Sequence, residues 1–115
     1  MNNVDKKRKG LERAQRYQQK HPDRVRAQQI KRTYGLEWEQ YLEMFTNQQG
    51  NCKICKVPLS LYPKQREHEI AHVDHCHSTG KVRGLLCKSC NSGLGYFKES
   101  PLLFKLAAEY LEEIN

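Results

Sequence analysis

Hydrophobic side chains recur along this chain in two rhythms, which divide it into helical flanks around a short extended centre. Leu11, Ala14 and Tyr17 stand at helical spacing, but the stripe is thin among Lys, Arg and Gln. His21-Pro22-Asp23 interrupts it, and Val25, Ala27, Ile30 and Tyr34 predict a second short helix ending at Gly35. Leu36, Trp38, Tyr41, Leu42 and Phe45 predict an amphipathic helix over 36–49, stopped at Gly50 and packed on the core. Trp38 is assigned to that packing rather than to stacking on a base. Pro58 to Glu69 is polar, contains Pro63 and is expected to be a surface loop. From Glu69 to His75 the rhythm becomes alternation, with Ile70 and Val73 among polar neighbours, and Lys81 to Leu86 is a second extended run. The turn formers Cys76-His77-Ser78-Thr79-Gly80 lie between them, so the pair predicts a two-stranded ribbon. Cys87 to Phe97 is expected to continue as a short helix. Ser100 and Pro101 then supply a capping hydroxyl and a proline at the first helical position. Leu103, Leu106, Ala107, Tyr110, Leu111 and Ile114 follow at 3.6-residue spacing, as a helix that is either core or a partner surface. The fold class is α+β.

Cysteine usage sharpens this picture. A chain of 115 residues is one small domain, a size that often needs a staple. Four of its five cysteines form two C-x-x-C pairs, Cys52-Lys53-Ile54-Cys55 and Cys87-Lys88-Ser89-Cys90. No hydrophobic signal segment opens the chain, so zinc in a reducing cytoplasm fits better than a disulfide framework. Two such knuckles make a closed, structural tetrahedral site with no open position for water. Cys76 is the odd thiol and is expected in a loop. No apolar run is long enough to cross a bilayer.

Net charge is +7, with a pI near 9.3. Residues 1–34 carry eleven Lys or Arg against three Asp or Glu, while the remainder carries nine against ten. The basic excess is therefore an N-terminal property. We divide the chain into a basic helical arm over 1–34, either DNA-binding or dimer-forming, and a zinc-stapled domain over 35–115. Such asymmetry points to a polyanion, with nucleic acid first. Lys6, Lys7, Arg8 and Lys9 are candidate phosphate contacts, which would supply affinity but no sequence information. The competing reading is a solvated arm that is partly disordered until nucleic acid binds.

A polar cluster carries the chemistry. Asp74, His75, His77 and Asn91 are oxygen and imidazole groups of the kind that hold a hard cation and move protons. Asp74 and His75 are adjacent, so a regular strand would point them to opposite faces. That suits a division of labour, with Asp74 on a metal and His75 reaching a water from a bent or twisted strand end. Asn91 follows Cys90 directly, so the zinc staple would fix its amide oxygen. Asp74 plus Asn91 is the sparse ligand set that Mg²⁺ takes while keeping several waters.

The run D-H-C-H-S-T-G-K-V-R-G-L-L-C-K-S-C-N from Asp74 to Asn91, preceded by C-K-I-C, resembles the recombination endonuclease VII family. That family belongs to the His-Asn-His nucleases (HNH, ββα-metal or His-Me finger). The likeness covers roughly residues 34 to 111, including the Tyr34-Gly35-Leu36 entry. It implies a β-hairpin followed by a helix, with flanking helices and a structural zinc on Cys52, Cys55, Cys87 and Cys90. It also implies a catalytic Mg²⁺ or Mn²⁺ on Asp74 and Asn91, His75 as general base and His77 assisting at the phosphate. Lys81 and Arg83 on the second strand are candidates for neighbouring phosphates, with a solvated strand face as the alternative. Two departures stand out: Cys76 occupies a position where an acidic residue is also familiar in the family, and His72 has no clear counterpart. The chain is short beside the junction-resolving member, so junction specificity is not carried over. The expected activity is metal-dependent hydrolysis of DNA phosphodiester bonds, nicking or cutting duplex or branched DNA. The rival is a non-catalytic zinc-ribbon-like DNA-binding or adaptor module. A monomer and a homodimer are both compatible with the sequence, as is a place in a larger phage or mobile-element assembly. The expected location is the cytoplasm of a bacterial or phage-infected host cell.

Overall fold

Local signals start and stop the helices of this computed structural model, which describes residues 3–63 and 68–114. The side chains of residues 17–19 and 114 lie outside the described residues, and with them the stripe positions Tyr17 and Ile114. So does the stretch 64–67 of the expected surface loop. The elements run α1 (Asn3–Lys20), α2 (Pro22–Tyr34), α3 (Trp38–Asn47), β1 (His72–His75), β2 (Val82–Leu86), α4 (Lys88–Tyr96) and α5 (Pro101–Ile114).

Pro22 opens α2, where its missing N–H costs nothing. Gly35 closes α2 in the left-handed conformation (φ 67°) and donates to the Lys31 carbonyl at 2.9 Å. At the start of α3 the Glu37 N–H donates to Gln40 Oε1 at 2.9 Å. The helix stops short of the expected 36–49, because Gln49 (φ 58°) and Gly50 (φ 72°) turn left-handed. A Cβ on Gly50 would also meet the Phe45 ring at 3.3 Å, so glycine is required there twice over. Ser100 caps α5 as expected, accepting from Leu103 N at 3.2 Å.

β1 and β2 form an antiparallel ribbon pairing His72 with Leu86, Val73 with Leu85 and Asp74 with Gly84, after which the register shifts and His75 pairs with Val82. The core lies between this ribbon, α2, α3 and the first cysteine knuckle. Ile30, Tyr41, Leu85 and Cys52 are its largest fully buried side chains. Tyr41 keeps its hydroxyl satisfied by donating to the Leu61 carbonyl at 2.7 Å. From α2, Arg26 donates to the Ala71 carbonyl at 2.8 Å, tying that helix to the start of the ribbon.

One segment differs from expectation. Leu59 and Ser60 are only 4% and 3% exposed, so the polar-looking connection enters the core before it reaches the surface. Backbone pairing draws it in: Ala71 N donates to Ser60 O, and Ser60 N to Glu69 O, each at 2.8 Å. The apolar face of α5, by contrast, is not core. Leu102, Leu106, Tyr110 and Leu111 are between 49% and 63% exposed, and the stacked Phe97 and Phe104 rings (4.9 Å) lie at its start. Helix α1 packs on α2 and is exposed at almost every described position, contributing to a long axis of 67 Å against 31 and 30 Å. No helix among the described residues is long and apolar enough to cross a membrane.

Candidate functional site

The first knuckle is a tight turn: Cys52 N donates to Val57 O at 2.8 Å, and Lys56, at φ 70°, donates to Cys52 O at 3.0 Å. The second coincides with a helix start. Cys87 (φ −71°, ψ 164°) occupies the cap of α4, and its Sγ accepts from Cys90 N at 3.4 Å. Lys53 N donates to Leu85 O at 3.1 Å and so holds the two knuckles together. The four Sγ atoms lie within 4.8 Å of one another, with Cys55 and Cys87 at 3.6 Å. Around a zinc with Zn–S bonds of about 2.3 Å, tetrahedral S···S edges are about 3.8 Å. The cysteines are therefore positioned to bind a metal ion, and four thiolates in a closed set suit structural zinc.

Their proton affinities fit this use. Burial pushes the Cys52 thiol up, but backbone N–H groups of Cys87, Cys55 and Ile54 outweigh it and bring the group to about 6. Cys87 and Cys90 are raised, first by burial and then by the neighbouring sulfurs. Binding a cation would drive off those protons, which makes metal affinity dependent on pH.

At the far end of the ribbon, a β-bulge falls between Asp74 and His75. Arg83 is the extra residue on β2, since Gly84 and Val82 take the flanking pairs. The extra residue bends β2 and increases the local twist of the ribbon opposite Asp74 and His75. Asp74 is 7% exposed. The His75 ring lies 5.5 Å from Tyr34 and 4.9 Å from His77.

The nearest cation to Asp74 is Arg83. Its Nε donates to Asp74 Oδ2 at 2.8 Å and its Nη2 to Oδ1 at 3.0 Å, a two-pronged pair. The same Nη2 donates to Glu99 Oε1 at 2.8 Å and to the His75 carbonyl at 3.3 Å. Glu99 Oε1 is also 3.4 Å from His77 Nε2. Hydrogen bonds donated to the Asp74 and Glu99 carboxylates hold the Arg83 proton affinity above its usual range. Glu99 arrives through an unusual turn, in which Lys98 (φ 55°) and Glu99 (φ 54°) are consecutive left-handed residues without glycine. Each costs on the order of 1 kcal/mol, a strain that persists only where surrounding contacts demand it. Glu99 N donating to Leu94 O at 2.8 Å, and the Arg83 contact, supply such demands.

The profile of the recombination endonuclease VII family matches residues 27–113. The chain belongs to that family. Among its relatives is the Gene 59 protein of Mycobacterium phage L5, 41% identical over 80 residues that cover 69% of this chain and 45% of the relative. Gene 59 protein of Mycobacterium phage D29 is 35% identical over 82 residues, covering 70% of this chain and 46% of that one. The chain thus spans about half the length of these phage proteins. Helix α1 and the first residues of α2 precede the endonuclease VII match.

Within this endonuclease VII chain the fold gathers Asp74, His75 and His77 at the bulge. Asn91 sits in the first turn of α4, half-buried, with its N–H on the Cys87 carbonyl at 3.0 Å, and α4 packs on β1. Lys81 is exposed at the entry to β2, and Lys6, Lys7, Arg8 and Lys9 are exposed on α1. Arg83 is exposed on the strand and at the same time donates to two carboxylates. His72, half-buried at the start of β1, has its basicity lowered by burial and then by the Arg26 charge. Cys76 takes part in the hairpin turn, its N–H on Lys81 O at 2.8 Å. Glu99 escaped sequence reasoning altogether, because nothing in Lys98-Glu99-Ser100 marks a turn that folds back sixteen residues toward β2.

Proposed function

We propose that this endonuclease VII family member is an HNH-type, divalent-metal-dependent DNA endonuclease that hydrolyses phosphodiester bonds in duplex or branched DNA. The observation that carries the reading is the cluster of Asp74, His75 and His77 at the bulge of a ribbon stapled by four cysteines. In this reading His75 accepts a proton from water as the water oxygen bonds to phosphorus. The bond from phosphorus to the 3′ oxygen breaks, and that oxygen leaves to be protonated. His77 and Arg83 hold the non-bridging oxygens.

Asp74 and Asn91 would hold the divalent ion. The fit rests on their chemistry: a carboxylate and an amide offer the oxygen donors a hard cation takes, and the 7% exposed Asp74 sits where positive charge is already favoured, as its bond to Arg83 shows. When bound, such an ion offsets the negative charge that develops on phosphorus and on the departing oxygen. Zinc on Cys52, Cys55, Cys87 and Cys90 is structural in this reading. The cations of α1 add affinity for the DNA backbone. The phage relatives support action inside an infected or bacterial host cell.

One observation favours a non-catalytic zinc-stapled DNA-binding module instead: both Asp74 oxygens already face Arg83. Supercoiled plasmid incubated with the zinc-loaded chain, with and without Mg²⁺ or Mn²⁺, separates the two. Nicking or linearisation that needs the added metal and disappears in His75→Ala supports the nuclease. DNA binding without cutting under either metal supports the binding module.

A further inference from the structure

Arg83 has its fork on Asp74, not free for the phosphate oxygens it is assigned above. Its guanidinium reaches from a carboxylate whose side chain is 10% exposed to one that is 22% exposed, and is itself 38% exposed. As the bulged residue it has no register partner on β1, so regular pairing does not set its side chain. What fixes it is Asp74 on one side and Glu99 on the other. A guanidinium fork matches a phosphodiester as well as it matches a carboxylate. A divalent ion on Asp74 would compete with, and be repelled by, a guanidinium on the same two oxygens.

We propose that Arg83 guards Asp74 and surrenders it to the divalent ion when a DNA phosphate takes the guanidinium, while Glu99 keeps Arg83 within reach of both positions. This rests on the nuclease reading and adds an order of events to it. Glu99 is a positioning residue, since its carboxylate touches Arg83 Nη2 and lies beside His77 Nε2 at once. Exchange of partners makes metal binding and phosphate binding mutually reinforcing, because each ligand removes the obstacle to the other. Without DNA the ion meets a cation already in place. In a permanent ion pair, by contrast, Arg83 would be a structural partner whose removal strands a buried carboxylate.

The test is Mn²⁺ binding to the zinc-loaded full chain, followed by the electron paramagnetic resonance signal of free Mn²⁺. Without DNA, Arg83→Gln should bind Mn²⁺ at least about tenfold more tightly than the parent chain. Asp74→Asn should lose that binding in either background. A short duplex added in a His75→Ala background, where cutting is off, should raise Mn²⁺ affinity. The same duplex should leave Arg83→Gln/His75→Ala unchanged, once ions held by DNA alone are subtracted with Asp74→Asn. Glu99→Gln should weaken the enhancement by DNA without abolishing Mn²⁺ binding. Unchanged or weaker Mn²⁺ affinity in a folded Arg83→Gln chain overturns the proposal. If Arg83→Gln does not fold, the duplex effect in His75→Ala alone decides, and its absence overturns the proposal equally. Should the parent chain nick plasmid with Mn²⁺ while Arg83→Gln binds the ion no better, only the guarding role falls. Neither nicking nor Mn²⁺ binding by the parent chain, with or without duplex, removes the nuclease reading and this inference together.

Discussion

Gln48, the first residue beyond α3, stands in for a third strand, and its removal should be costly. The outward N–H and C=O of Leu85 face away from β1, where a two-stranded ribbon offers them no strand partner and only the carbonyl has a backbone donor, Lys53 N at 3.1 Å. Gln48 Nε2 donates to Leu85 O at 2.9 Å and to Asn51 O at 2.8 Å, while its Oε1 accepts from Leu85 N at 2.9 Å. Beside it, a Cβ on Gly84 would stand 2.8 Å from Lys53 Cδ, so the glycine leaves room for the Lys53 side chain, whose Nζ donates to Arg83 O at 3.2 Å. Gln48→Ala deletes all three bonds. At about 1 kcal/mol each the loss is about 3 kcal/mol. Side-chain entropy regained on truncation returns about 1 kcal/mol. The net is a destabilisation of about 2 kcal/mol, or a Tm lowered by roughly 8 °C. Urea and thermal unfolding, both with zinc saturating, measure it. Gln48→Glu keeps the acceptor for Leu85 N but sets a carboxylate oxygen against two carbonyls, so it should be at least as damaging as alanine. A Gln48→Ala chain within about 0.5 kcal/mol of the parent would refute the reasoning, because surface substitutions without a specific role fall in that range.

Stripping zinc with a strong chelator, or introducing Cys87→Ser, should abolish cooperative unfolding, since metal binding to such a cluster contributes directly to folding free energy. Circular dichroism of the chelated chain checks this, and an unchanged melting curve would remove the metal from the fold. Deleting residues 1–20 should leave the core's Tm nearly intact, because the described part of α1 is almost wholly exposed. Its DNA affinity should fall, and the salt dependence should flatten by roughly 0.9 for each phosphate that the arm neutralises. An identical slope would mean that cations outside the arm neutralise the phosphates.

Much of the architecture was legible because it is encoded by near neighbours. A left-handed Gly35 ends α2, Ser100 and Pro101 begin α5, and two C-x-x-C turns hold sulfurs at knuckle spacing; each depends on residues within four positions. Hydrophobic alternation likewise marked both strands of the ribbon. The candidate residues Asp74, His75 and His77 could be named in advance because they are close in sequence as well as in space.

What the amino-acid order could not reveal depends on backbone trajectory over longer spans. The α5 stripe announces an apolar face but is silent on what meets it, and the described core leaves that face in solvent. Leu59 and Ser60 are drawn inward by pairing with residues 69–71, across a segment whose composition alone reads as surface. The register shift at Asp74 and His75 depends on which residue of β2 is left unpaired, and no local periodicity selects Arg83 for that place. By itself, then, the sequence determined the helices, the ribbon, the two cysteine knuckles and the residue types of the candidate site, all through local propensity and short spacing. Only tertiary structure decided that Arg83 lies on Asp74 and Glu99, because a bulge and a strained turn must converge before those charges can meet.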